Sequence, residues 1–148
     1  MYSCKKENGK LMTKRKNIKN NKIITGISSK ANDEKLSLIG VKDKPGVAAS
    51  IFKPLSKNSI NVDMVVQNIS ANGKETDLTF TVKSEDLHKT NKLLKNNTNI
   101  KFRTLIIDKN VCKLSIIGVG MITTPGVTYK MFQALAYTNI TIIVISTS

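Results

Sequence analysis

Lys35-Leu36-Ser37-Leu38-Ile39-Gly40-Val41 returns 78 positions later as Lys113-Leu114-Ser115-Ile116-Ile117-Gly118-Val119. Pro45-Gly46-Val47 returns 80 positions later as Pro125-Gly126-Val127, and that register then holds. Phe52 maps to Phe132, Leu55 to Leu135, Ile60 to Ile140 and Val65 to Ile145. Self-similarity of this length marks a duplicated structural unit. The second copy stops at Ser148, opposite Asn68, so the expectation is one whole unit and one truncated unit.

The first copy supplies the order of elements. Residues 23–29 form a short strand candidate, and Asn32-Asp33-Glu34 reads as a turn. Residues 35–41 alternate and then run apolar, as a buried strand does. Asp43-Lys44-Pro45-Gly46 interrupts them. Apolar positions 47, 51, 52 and 55 then make a helical stripe that ends near Asn58. Pro54 predicts a kink or an early end, because its ring removes a backbone hydrogen bond. Residues 61–70 read as a strand, Asn72-Gly73 as a hairpin turn and residues 75–82 as a third strand. Ser84 is the natural N-cap of a second helix, with Glu85 and Asp86 in its first turn and Leu87, Leu93 and Leu94 along it. Residues 101–107 complete a β-α-β-β-α-β order.

That order predicts an α+β fold, the ferredoxin-like split βαβ, with two helices on one face of a four-stranded antiparallel sheet. The second copy repeats a strand at 112–119, a helix at 126–138 and a strand at 140–147. In this topology the third strand lies between the first and second. A unit without it leaves a gap, and the β-branched run at 140–145 becomes an exposed edge in need of a partner. The domain reading is a basic tail or linker remnant at 1–22, a strand at 23–30, a first unit at 31–110 and a truncated second unit at 111–148.

The formal charge of +14 raises nucleic-acid binding as a reading, which its distribution argues against. Residues 1–30 carry nine Lys or Arg against Glu7 alone, so the remaining 118 residues hold only +6. Arg15 and Arg103 are the sole arginines, there is no Trp, and no aromatic residues interleave the basic run. Cys4 and Cys112 suggest neither a disulfide framework nor a metal site. His88 sits on the solvent side of a predicted helix. No apolar run reaches membrane-spanning length and the N-terminus has no secretory apolar region, which predicts a cytoplasmic protein without membrane contact.

The candidate site is the turn between the first strand and helix. Pro45 suits a first helical turn, and Gly46 admits close approach to the backbone. The unpaired amides of the helix start, around Val47 and Ala48, favour a carboxylate or phosphate. Asp43 and Asn61 could take an ammonium, and Gln67 and Asn68 add amide groups. The set suits a free amino acid. Pro-Gly as mere turn punctuation is the alternative; duplication of the turn is compatible with both.

These residues resemble a known family. Gly40-Val41-Lys42-Asp43-Lys44-Pro45-Gly46-Val47-Ala48-Ala49 with Ile51-Phe52 is similar to the regulatory ACT region of aspartate kinases. So are the run from Ile60 to Ser70, with its Val66-Gln67-Asn68, and Thr76-Asp77-Leu78-Thr79-Phe80-Thr81-Val82. In the second copy Gly118-Val119-Gly120-Met121, Pro125-Gly126-Val127, Met131-Phe132 and Ile145-Ser146-Thr147-Ser148 agree. The pattern departs at Thr124, Thr141 and Ile143-Val144. The resemblance covers 23–148.

It implies a sensor whose paired ACT units bind lysine or threonine and inhibit phosphorylation of aspartate by ATP. Effector contacts are implied at Asp43, Pro45, Gly46, Val47, Ala48, Asn61 and Gln67 in the first unit. Those implied in the second are Thr124, Pro125, Gly126, Val127, Ile145, Ser146 and Thr147. It further implies that the strand at 23–29 joins the second unit's sheet. No kinase half is present, so no catalytic residue, metal ligand or cofactor is assigned, and ATP and Mg belong to the missing kinase domain. The expected partners are a second copy or a kinase-bearing subunit. A decayed remnant, a free-standing ACT protein and a basic nucleic-acid binder are the other readings.

Overall fold

The computed structural model describes residues 23–69, 73–121 and 124–146. Its elements in chain order are β1 (Gly26–Lys42), α1 (Val47–Lys57), β2 (Val65–Ile69), β3 (Glu75–Lys83), α2 (Leu87–Lys95), β4 (Thr104–Ile117) and α3 (Val127–Tyr137), with 3-10 turns at Ser84–Asp86 and Val119–Met121. The chain divides into two compact units, Asn32–Asn110 and a second formed from the segments before Asn32 and after Asn110. Both long strands, β1 and β4, continue through these boundaries.

In the first unit the sheet order is β2-β3-β1-β4, so β3 lies between β1 and β2 as the repeat order predicted. The β1–β3 ladder is antiparallel from Asp33↔Lys83 to Lys42↔Glu75, with an irregularity between Leu38 and Val41. β2 pairs with β3 from Val65↔Phe80 to Ile69↔Thr76. Opposed residues share a face of an antiparallel sheet. Leu36, Phe80 and Val65 therefore face the helices, as do Leu38, Leu78 and Gln67, while Ser37, Thr79 and Val66 occupy the other side.

The core follows from that alternation. Leu36, Leu38, Val41, Leu78, Phe80 and Val82 pack under Ile51 and Leu55 of α1 and Leu94 of α2, all of them buried. Full burial of each such side chain stabilises the fold by about 1.5–3 kcal/mol. Phe52 meets Phe80 edge to face at 5.3 Å. On the opposite face the buried Ser37 and Thr79 hydroxyls share a 2.9 Å hydrogen bond, and Lys35 reaches Asp108 at 2.7 Å. Glu34 is buried too; its carboxylate accepts the Ser84 hydroxyl at 2.7 Å and the Asn110 amide at 3.1 Å.

Five local expectations are corrected. There is no turn at 32–34, because Asn32 takes a φ of 68° within a continuous strand, and an asparagine tolerates that bend. Ser84 does not cap α2. Its hydroxyl is spent on Asn32 O and Glu34, and the helix begins at Leu87 after a 3-10 turn. Pro54 does not end α1 early: the helix continues to Lys57, at the Asn58 end that the apolar stripe predicts, and the Asn58 side-chain amide donates to Pro54 O. β2 begins at Val65; 61–64 meet β3 through Asp63 N to Thr81 O, Thr81 N to Met64 O and Met64 N to the Thr81 hydroxyl, without forming a regular ladder. The strand set at 101–107 starts at Thr104 and runs on to Ile117 without a break before the second copy.

In the second unit Thr25 N donates to Ile117 O at 2.7 Å, and the Thr25 hydroxyl donates to the same oxygen. Ile117 is the repeat partner of Ile39, whose carbonyl receives Arg103 N at 2.7 Å in the first unit. The chain near Thr25 thus meets the repeat strand at the position that the start of β4 takes in the first unit. Gly118 is required beneath it: a Cβ there would lie 2.0 Å from Ile23 O. The strand expected at 140–147 is not formed among the described residues. Ile142 makes a single bridge and residues 140–146 form no ladder. A strand is held by its neighbour's backbone groups, so β-branched composition alone does not create one.

Candidate functional site

The turn at 43–46 is held from both ends. Asp43 N donates to Lys74 O at 3.1 Å, which ties it to the start of β3, and Val47 N donates to Lys44 O at 3.2 Å. Gly46 is the N-cap of α1 at φ 85°, a region where a side chain is strained. Having no side chain, it also offers no oxygen to the amides that follow, and no side-chain hydrogen bond caps the helix. The first intrahelical bond is Ser50 N to Gly46 O. An α-helix start therefore directs its early amides outward at Ala48 and Ala49, and its dipole adds partial positive charge.

Beside this helix start lies a shallow surface depression, with no enclosed cavity beneath it, lined by Val41, Val47, Ala48, Ile51, Gln67, Thr76 and Leu78. Three of the sequence candidates, Val47, Ala48 and Gln67, meet there. Gln67 reaches it because β2 register places it on the helical face opposite Leu78, whereas its neighbour Asn68 opposes Asp77 on the other face. Asp43, Pro45, Gly46 and Asn61 are exposed around the turn and the following loop and do not line the depression. Its apolar floor is Val41, Ile51 and Leu78, which the sequence places on the first strand, the helical stripe and the third strand without marking them as site residues. Thr76 was missed as a lining residue; it is buried and donates its hydroxyl to Asn68 O. Its pairing with Val41 across the β1–β3 ladder is a tertiary fact with no signal in the local pattern.

The second turn repeats the backbone of the first. Gly126 has φ 86°, no side chain caps α3, and Lys130 N donates to Gly126 O at 3.0 Å, matching Ser50 and Gly46. Pro125 and Gly126 are exposed, Thr124 and Val127 half-buried, and Ile145 and Ser146 exposed. Thr147 lies outside the described residues, as do Cys4 and the basic tail at 1–22.

The ACT domain family matches residues 36–97 and 114–148, the two copies of the repeat. The regulatory subunit of aspartate kinase from Thermus thermophilus superposes with a TM-score of 0.73 at 35% identity, over 86% of this chain and 83% of that one. The chain belongs to the ACT-domain regulatory region of aspartate kinases. The same ACT arrangement matches the aspartokinase alpha and beta subunits at a TM-score of 0.71 and 37% identity, over 84% of this chain and 82% of that one. The Pseudomonas aeruginosa aspartokinase is 46% identical over 127 residues, which is 85% of this chain and 31% of that protein. A Helicobacter pylori aspartokinase is 44% identical over 126 residues in the same proportions. The ACT region thus spans about a third of the length of the curated aspartokinases it matches. Among the described residues no helix is long and apolar enough to cross a membrane.

Proposed function

We propose that this chain is the effector-sensing portion of an aspartate kinase. It holds free lysine or threonine and so controls transfer of phosphate from ATP to aspartate in a kinase domain carried elsewhere. The observation that supports a site is the uncapped α1 start beside the depression. The α-carboxylate of the effector sits over Ala48 and Ala49 at the Pro45-Gly46 turn. Asp43 and Asn61 face its ammonium, Val47 and Gln67 bound its side chain, and the turn at 124–127 with Ile145, Ser146 and Thr147 offers the second site. Charge complementarity at a helix N-terminus contributes about 0.3–1 kcal/mol, so affinity depends on the surrounding contacts as well. Similarity over most of a Thermus regulatory subunit supports pairing with a second copy or with a kinase-bearing chain.

The test is a thermal melt of the full chain with lysine, with threonine and with glycine as control. An effector at a hundred times its Kd stabilises by about 2.7 kcal/mol, which raises Tm by several degrees. A rise with lysine or threonine that Gly46→Val abolishes is the expected outcome. Identical melts with all three amino acids would sink the proposal.

A further inference from the structure

Just before it reaches the candidate site, β1 gains one residue over β3. Leu38 stands opposite Leu78 and Val41 opposite Thr76, so Ile39 and Gly40 together oppose Asp77 alone. A β-bulge of this kind re-aims the side chains that follow it. A regular ladder would set Gly40 against Thr76 on the helical face and turn Val41 to the other side. The bulge instead puts Val41 in the floor of the depression, two residues before the turn begins at Asp43. It is held from both flanks. Gly40 takes a φ of 69°, and its amide donates to Asp77 Oδ1 at 2.9 Å. On the β4 side Ile39 O accepts Arg103 N at 2.7 Å, and Arg103 also pairs with Glu75 of β3. A Cβ at Gly40 would lie 3.0 Å from Arg103 Cβ.

Asp77 does not line the depression. It lies on the opposite face of the sheet, level with Asn68 of β2, and is half-buried. Its carboxylate serves a backbone amide at the one place where β1 and β3 fall out of register. The turn is anchored to the same strand, since Asp43 N donates to Lys74 O. A slip of β1 against β3 would therefore move Val41 and the first residue of the turn together. We propose that Asp77 is a positioning residue for the effector site of the first unit. By holding the Gly40 amide it fixes the bulge, and through the bulge the placement of Val41 and of the Asp43–Gly46 turn. Its geometric part stands on the ladder alone; its consequence for a bound amino acid rests on the effector reading. What the bulge needs is an acceptor oxygen, which an asparagine side chain also supplies.

The test compares Asp77→Ala with Asp77→Asn, and with Asn58→Ala, which removes a side-chain hydrogen bond at the far end of α1. Amide exchange of the full chain without ligand reads the turn, and calorimetric titration with lysine and with threonine reads binding. Asp77→Ala should quicken exchange at Asp43 and Val47 about fivefold. It should weaken whichever amino acid the unaltered chain binds about tenfold. Asp77→Asn should restore both readouts, and Asn58→Ala should alter neither. Unchanged exchange at Asp43 and Val47 in Asp77→Ala overturns the proposal, whatever binds. So does an asparagine that restores nothing, or an Asn58→Ala variant that reproduces the losses, because either would mean general destabilisation. An unaltered chain that binds neither amino acid refutes the effector reading, and the exchange comparison then decides the role of Asp77 by itself.

Discussion

In the first ACT unit Leu36 stands opposite Phe80, and both are fully buried; Leu114, the repeat partner of Leu36, is half-exposed. Leu38 and Ile116 differ in the same way, although Leu55 and Leu135 are both buried under their helices. Nearly identical strands thus reach different burial. The cause is β3 and α2, which close the first unit's sheet and core, against a single bridge at Ile142 in the second. Hydrophobic stabilisation is proportional to area removed from water, so the half-exposed Leu114 and Ile116 contribute less than the buried Leu36 and Leu38.

The comparison can be broken at its strongest point first. Phe80→Ala should cost about 3–5 kcal/mol in chemical denaturation, since it removes the fully buried β3 ring that packs on Phe52 of α1. Leu135→Ala should cost clearly less, because its surroundings are already half open. Equal costs would show that the second unit is as well packed as the first. Gly118→Ala comes next: its Cβ would strike Ile23 O, and relief costs about 1–3 kcal/mol. Amide exchange should quicken at Thr25 while the first unit's strands stay protected.

A smaller effect sharpens the parallel between the two turns. Gly46→Ala and Gly126→Ala should each cost about 1 kcal/mol through the left-handed φ alone, as neither Cβ would touch anything. Unequal shifts in Tm would show that one turn relaxes. The smallest effect belongs to Arg103→Ala. Its ion pair with Glu75 is largely exposed on the arginine side, and about 0.2–1 kcal/mol is expected, diminishing with added salt.

Much of the candidate site was legible. Pro45-Gly46 announced a helix start, and the apolar stripe at 47, 51 and 55 announced the face that α1 buries. The convergence of Gln67 and Thr76 on Val47 was not legible, because it depends on two ladder registers set by pairing across the sheet. Ser84 shows the same limit at smaller scale. By composition it is a helix cap, yet Glu34, fifty residues away, claims its hydroxyl. A buried carboxylate needs partners more than a solvated helix start does, and the stronger demand prevails.

The amino-acid sequence by itself determined the duplication, the order of strands and helices, and the glycine at each turn, since these follow from local periodicity and φ requirements. Tertiary structure alone decided the registers at which the strands pair and that residues 140–146 form no ladder. Strand pairing is a contract between distant backbone groups, and neither partner's composition states whether the other will be there.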